Sequence, residues 1–513
     1  MILCFANILG AFSANITDIK KEQEALNFLQ EEDLANLVLF SEYDMDYDRH
    51  LYYNPVAREI VRKIDNAETL VKQSNISVAY YDFKHLIDQM PQNDFYFMTI
   101  AYKLSEIGFF SLAHSAMMKV RDKELWGQHI DFIRENCFPA DRSKITEEVF
   151  FAGLLADILY SNLTDESIAQ LQKKDSALMD CDYAKYISAY AYYADKNYDK
   201  ALSQINKAIS ENPQNIFYKK LKAEILNDSG KEKATISLIN QLSRTDILFT
   251  DIQREIDKIK YYSLSQTEQD EIRQKYYLSY YFYLNKDYQR AINELKILIM
   301  KGETSHAPEL LGRLYEVTNK SSEAKKLYTK QISKNKKSYF AHNGLGDIYL
   351  SERKYAEALS EYKLAHKYNK NDLETLVALA VVYDKLNDKK NSMKYADKLL
   401  RKYPLNYKGL YIASKFRNDE GHLNLKKSIS QNPLYASGWL DLAEQALSAN
   451  DLVSAEEYIN ASAYITKNDP RYFYYKSLLN TQKKDYNTAF SDIVRAKTLY
   501  KEKMSYKEQD EQL

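Results

Sequence analysis

The alanines of this chain recur at a fixed interval. Ala79 and Ala113, Ala324 and Ala358, and Ala455 and Ala489 each stand 34 residues apart. A tyrosine sits three residues before the alanine at Tyr198 and Ala201, Tyr288 and Ala291, Tyr355 and Ala358, and Tyr486 and Ala489. An interval of this length encloses one supersecondary unit, too small to bury its own apolar face, so successive units must stack and share a continuous core. The unit is helical. Only 12 glycines and 8 prolines occur in 513 residues, too few to punctuate a sheet-rich fold.

The rest of the unit keeps the same register. Twelve residues before the repeated alanine the chain places a small residue, at Ala189, Ser279, Gly312, Gly346, Ala443 and Ser477. Two helices approach closely only where such residues face each other. Three positions later an aromatic recurs, at Tyr192, Phe282, Tyr315, Tyr349 and Tyr383, and Pro91, Pro213, Pro404 and Pro433 stop the second helix of several units. The fullest unit is Tyr339–Asp372, with Leu345, Gly346, Tyr349, Tyr355, Ala358, Tyr362 and Ala365 in their slots. On these residues the chain resembles the tetratricopeptide repeat (TPR) family, departing from it at the tryptophan slot, which holds Leu376 in one unit and Trp439 in another. The resemblance implies an all-α, α-α superhelical solenoid of helix hairpins, about ten to eleven repeats in two arms.

Units are expected at 60–93, 94–127, 182–215, 216–248, 272–304, 305–338, 339–372, 373–406, a shortened 407–435, 436–469 and 470–503. This gives an N-terminal pair of repeats at 60–127, a second pair at 182–248 and a C-terminal array at 272–503. The period breaks at 128–181, an irregular helical connector, and at 249–271, where Ser265 and Glu268 have capping-box spacing. Residues 18–59 read as a helical N-terminal cap and 504–513 as a polar tail that solvates the far end. Residues 1–17 are apolar, and two readings stay open. A signal cleaved after Ser13 would export the protein to a periplasmic or secreted location; a buried helix start would leave it cytoplasmic.

Lys plus Arg (71) nearly equals Asp plus Glu (72), so no global field concentrates nucleic acid or an anionic membrane, and no nucleic-acid partner is expected. The basic stretch Asn319–Ser338 reads as a solvated outer helix face. No later run is apolar enough to span a bilayer. The three cysteines show no metal spacing; Cys137 and Cys181 are either buried free thiols or a pair in an oxidising compartment. No phosphate loop, zinc helix or nucleophile elbow appears, and no cofactor or metal site is expected. Asp44, Asp46 and Asp48 begin like a calcium loop, but Arg49 replaces the glycine of its sixth position and Pro55 the bidentate glutamate of its twelfth.

A non-enzymatic scaffold or adaptor is therefore expected, with a regulatory or targeting subunit of a multiprotein machine, of envelope biogenesis or secretion type, as the alternative. In an array of paired helices the first helix of each unit lines the concave surface. The resemblance implies that this surface binds an extended peptide or a partner helix. One subclass grips carboxylates with a Lys and an Asn four residues apart. The matching pairs here are Tyr186 and Tyr190, Tyr276 and Tyr280, Glu309 and Arg313, Asn343 and Asp347, and Val377 and Val381, which do not fit it. Two lines of tyrosine stand out instead, Tyr186, Tyr190 and Tyr193, and 90 residues on, Tyr276, Tyr280 and Tyr283. Their rigid apolar faces and hydroxyls suit an apolar or proline-rich stretch of a protein or extended peptide partner, or else they pack on neighbouring units. Oligomeric state is not encoded.

Overall fold

The computed structural model describes residues 55–141, 147–161, 169–170, 180–242, 252–302, 306–318, 320–416, 420–433, 435–465 and 469–510. The expected signal or apolar segment, nearly all of the cap at 18–59 and the aspartates at 44–48 lie outside them. The described residues form helices joined by short turns. In chain order these are α1 (Pro55–Lys72), α2 (Ile76–Gln89), α3 (Asp94–Ile107), α4 (Phe110–Met118), α5 (Lys123–Asn136) and α6 (Glu148–Ala156), which runs into a π-helical turn at Asp157–Ser161. Then follow α7 (Asp182–Ala194), α8 (Tyr198–Glu211), α9 (Ile216–Asp228), α10 (Glu232–Leu242), α11 (Ile252–Thr267), α12 (Glu271–Leu284), α13 (Tyr288–Met300), α14 (Ala307–Val317) and α15 (Ser321–Lys334). The array continues as α16 (Tyr339–Ser351), α17 (Tyr355–Tyr368), α18 (Leu373–Lys385), α19 (Lys389–Lys402), α20 (Tyr407–Phe416) and α21 (Gly421–Gln431). Last come α22 (Ala436–Ser448), α23 (Leu452–Ile465), α24 (Pro470–Gln482) and α25 (Tyr486–Asp510). One compact unit spans Glu59–Pro433, and the described residues from Tyr435 onward belong to a second.

Local chemistry sets the hairpins. Asn197, Asp287, Asp388, Asp451 and Asp485 cap second helices, each side-chain oxygen accepting the backbone N–H three residues on. The residue just before each cap, Lys196, Lys286, Asn387, Asn450 and Lys484, is left-handed, which turns the chain sharply between the two helices. The repeated alanines are the core: Ala201, Ala291, Ala324, Ala358 and Ala455 are fully buried. In the larger unit Ala291 and Ala324 pack with Leu295, Leu310, Leu314, Tyr328 and Leu345, and in the second unit Ala455 packs with Ala443, Ile459, Tyr472 and Ala496.

The small slots serve a different purpose from plain helix approach. A methyl group on Gly346 would collide with the Tyr362 ring, and one on Gly312 or Gly344 with the Tyr328 ring. The second-helix tyrosine needs that space to reach the first helix, where the Tyr328 hydroxyl donates to Glu316 (2.6 Å) and the Tyr362 hydroxyl to Asp347 (2.7 Å). Other expectations need amending. Helix α5 runs across the boundary drawn at residue 127, and the 249–271 insertion is mostly α11, packed against α10 and α12. Ser265 lies inside α11 with its hydroxyl donating to the Tyr262 carbonyl, and Asp270 is the cap of α12. The C-terminal tail is helical to Asp510. Cys137 and Cys181 are buried free thiols.

Candidate partner groove

Both tyrosine lines fall on first helices, α7 and α12, as the spacing requires. Their environments differ. Tyr186 is only 7% exposed. Its ring centroid lies 4.9 Å from Tyr218, 5.2 Å from Tyr190 and 5.8 Å from Tyr183, so it joins α7 to α9. Tyr190 and Tyr193 are half-buried. The Tyr193 hydroxyl donates to Asp228 at the end of α9 (2.6 Å), again a contact between first helices. Burial pushes the hydroxyls of Tyr186 and Tyr190 well above the usual phenol range; Tyr190 adds to the effect on Tyr186 and the Glu224 carboxylate to that on Tyr190, which a hydrogen bond with Tyr186 partly offsets.

The second line is more open. Tyr276, Tyr280 and Tyr283 are all half-buried and form a ring ladder, with centroids 6.4 Å and 5.6 Å apart. Tyr261 of α11 stacks on Tyr280 at 4.2 Å, and His306 lies 5.7 Å from Tyr276. Burial, and then the neighbouring tyrosines, push the Tyr280 hydroxyl up to about 12. Aromatic ladders of this kind supply broad contact area at low conformational cost.

Beyond the second line the first helices carry charge, which the tyrosine pattern did not announce. Arg313 of α14 bonds Glu309 (3.2 Å) and reaches Glu374 of α18 (2.8 Å). Glu316, beside the Tyr328 hydroxyl, is pushed up to about 7 by burial. Asp347 of α16 is raised well above the carboxylate range, again by burial first and then by the Glu316 charge. The Thr375 hydroxyl donates to Asn343 (3.2 Å), joining α18 to α16. On the α7 side, Lys220 and Glu224 of α9 pair at 3.1 Å, and Lys103 of α3 pairs with Glu68 of α1. The signal for these residues is present in the sequence at the first-helix positions 309, 313, 343 and 347, which hold Glu, Arg, Asn and Asp. Among the described residues no group of His, Cys, Asp or Glu is placed to hold a metal ion, and no helix is long and apolar enough to cross a membrane.

Residues 310–372 match the family model for the tetratricopeptide repeat. No curated protein is significantly similar to the chain. Among solved structures it is similar to the Cut9–Hcn1 hetero-tetramer of the APC/C, at 11% identity over 84% of this chain and 92% of that one, TM-score 0.41. It is also similar to PilF of Pseudomonas aeruginosa (17% identity, 46% of this chain and 97% of that one, TM-score 0.26). A third likeness is to YrrB, described as a TPR protein with an unusual peptide-binding site (14% identity, 38% and 96% of the two chains, TM-score 0.27).

Proposed function

We propose that this chain, with tetratricopeptide repeats at residues 310–372 and helix hairpins on either side, is a TPR solenoid acting as a non-enzymatic scaffold whose first-helix face holds an extended segment of a protein partner. Repeats of this kind generally mediate protein–protein interaction. The observation that carries the reading is the ladder Tyr276, Tyr280 and Tyr283. It is half-exposed on a first helix, it is extended by Tyr261, and the Arg313 cluster follows it on the next first helix. Rigid aromatic faces beside a few fixed charges suit a peptide whose backbone and side chains must both be gripped. Tyr190 and Tyr193 extend the surface toward α7, while the buried Tyr186 supports it from behind.

The test is affinity capture from the native source with the full chain as bait, beside Tyr276→Ala/Tyr280→Ala. The scaffold reading expects a partner that the wild-type chain retains and the double variant loses, at an unchanged thermal melt of helix. Equal retention by both would contradict it.

A further inference from the structure

The outer helix α19 is charged almost entirely in one sense. It carries six Lys and Arg (Lys389, Lys390, Lys394, Lys398, Arg401 and Lys402) against one carboxylate, Asp397. Lysines at other joints of the array meet acids: Lys185 pairs with Glu211, Lys301 with Glu271 and Lys325 with Glu352. On α19 they do not. Lys398 donates to the His366 imidazole of α17 (3.0 Å), Lys402 to the Asn371 carbonyl (3.4 Å), and Lys394 lies over the Tyr395 ring. No carboxylate is among these partners. Lys370, in the turn after α17, adds another positive charge to the same spot, and the Lys398 ammonium and the His366 imidazole are both held below their ordinary values by burial and then by the surrounding lysines. Packed like charges cost stability in the free protein, and an apposed anionic surface relieves that cost.

We propose that the outer face of α19, with the adjoining C-terminal end of α17 around His366, Lys367 and Lys370, docks on an anionic lipid surface. The charges are ammonium groups on flexible stems, spread along a helix of about 21 Å, with one guanidinium among them. Such an array has no fixed fork for a particular carboxylate or phosphate and suits a fluid, diffuse layer of negative headgroups. A folded acidic protein or a nucleic acid would instead be met by bidentate arginines or by aromatic rings free for stacking. This face lies on second helices, so occupancy of the tyrosine groove on the first helices does not preclude it.

The probe is the full chain co-sedimented with vesicles of phosphatidylcholine alone and of equal parts phosphatidylcholine and phosphatidylglycerol. The proposal expects binding to the anionic vesicles only, weakened by added salt. It expects at least a tenfold loss of affinity in Lys394→Glu/Lys398→Glu/Lys402→Glu. The milder Lys394→Gln/Lys398→Gln/Lys402→Gln, which adds no repulsion, should weaken binding less and in the same direction, and Lys200→Glu/Lys207→Glu on α8 should bind as the wild type does. Absence of binding to anionic vesicles overturns the proposal, as does undiminished binding by both triple variants. Tighter binding to polyglutamate or to single-stranded DNA than to the vesicles at one ionic strength also overturns it.

Discussion

At Gly346 a hydrogen stands where any other residue would place a methyl group, and the Tyr362 ring occupies that space on its way to Asp347. Adding the methyl forces the ring off its carboxylate, and overpacking of this kind costs about 1–3 kcal/mol. Gly346→Ala should therefore lower stability by about that amount in urea unfolding, and Tyr362→Phe, which keeps the ring and loses only the hydroxyl, by less. The neighbouring acids give a pH signature. Glu316 has a folded value of about 7, above its ordinary 4.5, so the protonated form is favoured in the folded state. Its contribution is complete below pH 4.5 and is lost as pH rises through 7. Glu316→Gln, which stays neutral, should flatten the fall in stability between pH 5 and 8; an unchanged slope would place the carboxylate in water. The small slots were legible as positions, because they recur in register with the alanines. Their purpose was not, since a sequence shows that Gly346 is small and not which ring lies against it.

The hairpin is the element that the sequence expressed most fully. Its proline stops follow the second helices α2, α8, α19 and α21, its repeated alanines are buried, and its tyrosine lines lie on the first helices α7 and α12. The turn between the two helices is not marked in the sequence, because it uses Lys196, Lys286 and Lys484 in the left-handed conformation, where glycine is the usual marker. Gly108 occupies the same turn position with φ 97°, and there a side chain would also strike the Tyr183 hydroxyl. Gly108→Ala is expected to destabilise the chain by about 2 kcal/mol from backbone strain and overlap together. Lys196→Gly should be nearly neutral. Helix α12 offers a second check, because Asp270 is its cap and the Ser265 spacing was a false signal inside α11. Asp270→Ala should cost about 1 kcal/mol and speed amide exchange in the first turn of α12, whereas Ser265→Ala should leave that turn unchanged.

At the scale of the whole molecule, the unit Glu59–Pro433 contains a contact that no repeat pattern encodes. Helix α5 meets α21 some 300 residues further on: the Lys426 ammonium bridges Asp122 (3.0 Å) and Glu124 (3.1 Å), and the His129 imidazole donates to the Ser430 carbonyl (2.9 Å). Periodicity specifies neighbours, and this pairing depends on small rotations accumulated over many repeats, so it could not be read in advance. Burial holds His129 at about 4, below its ordinary 6.5. For a base whose value is depressed on folding, the contribution is complete above pH 6.5 and is lost as pH falls toward 4, about 3 kcal/mol in all. Urea unfolding across that interval should show the loss in the wild type and a smaller one in His129→Gln. The central claim is that the first-helix face holds the partner. It is tested most directly by placing a photo-cross-linking benzophenone amino acid at position 280, in the ladder, and separately at Ser360, exposed on the second helix α17. The account predicts a covalent adduct with the captured partner from position 280 and none from position 360; an adduct from 360 alone would contradict it.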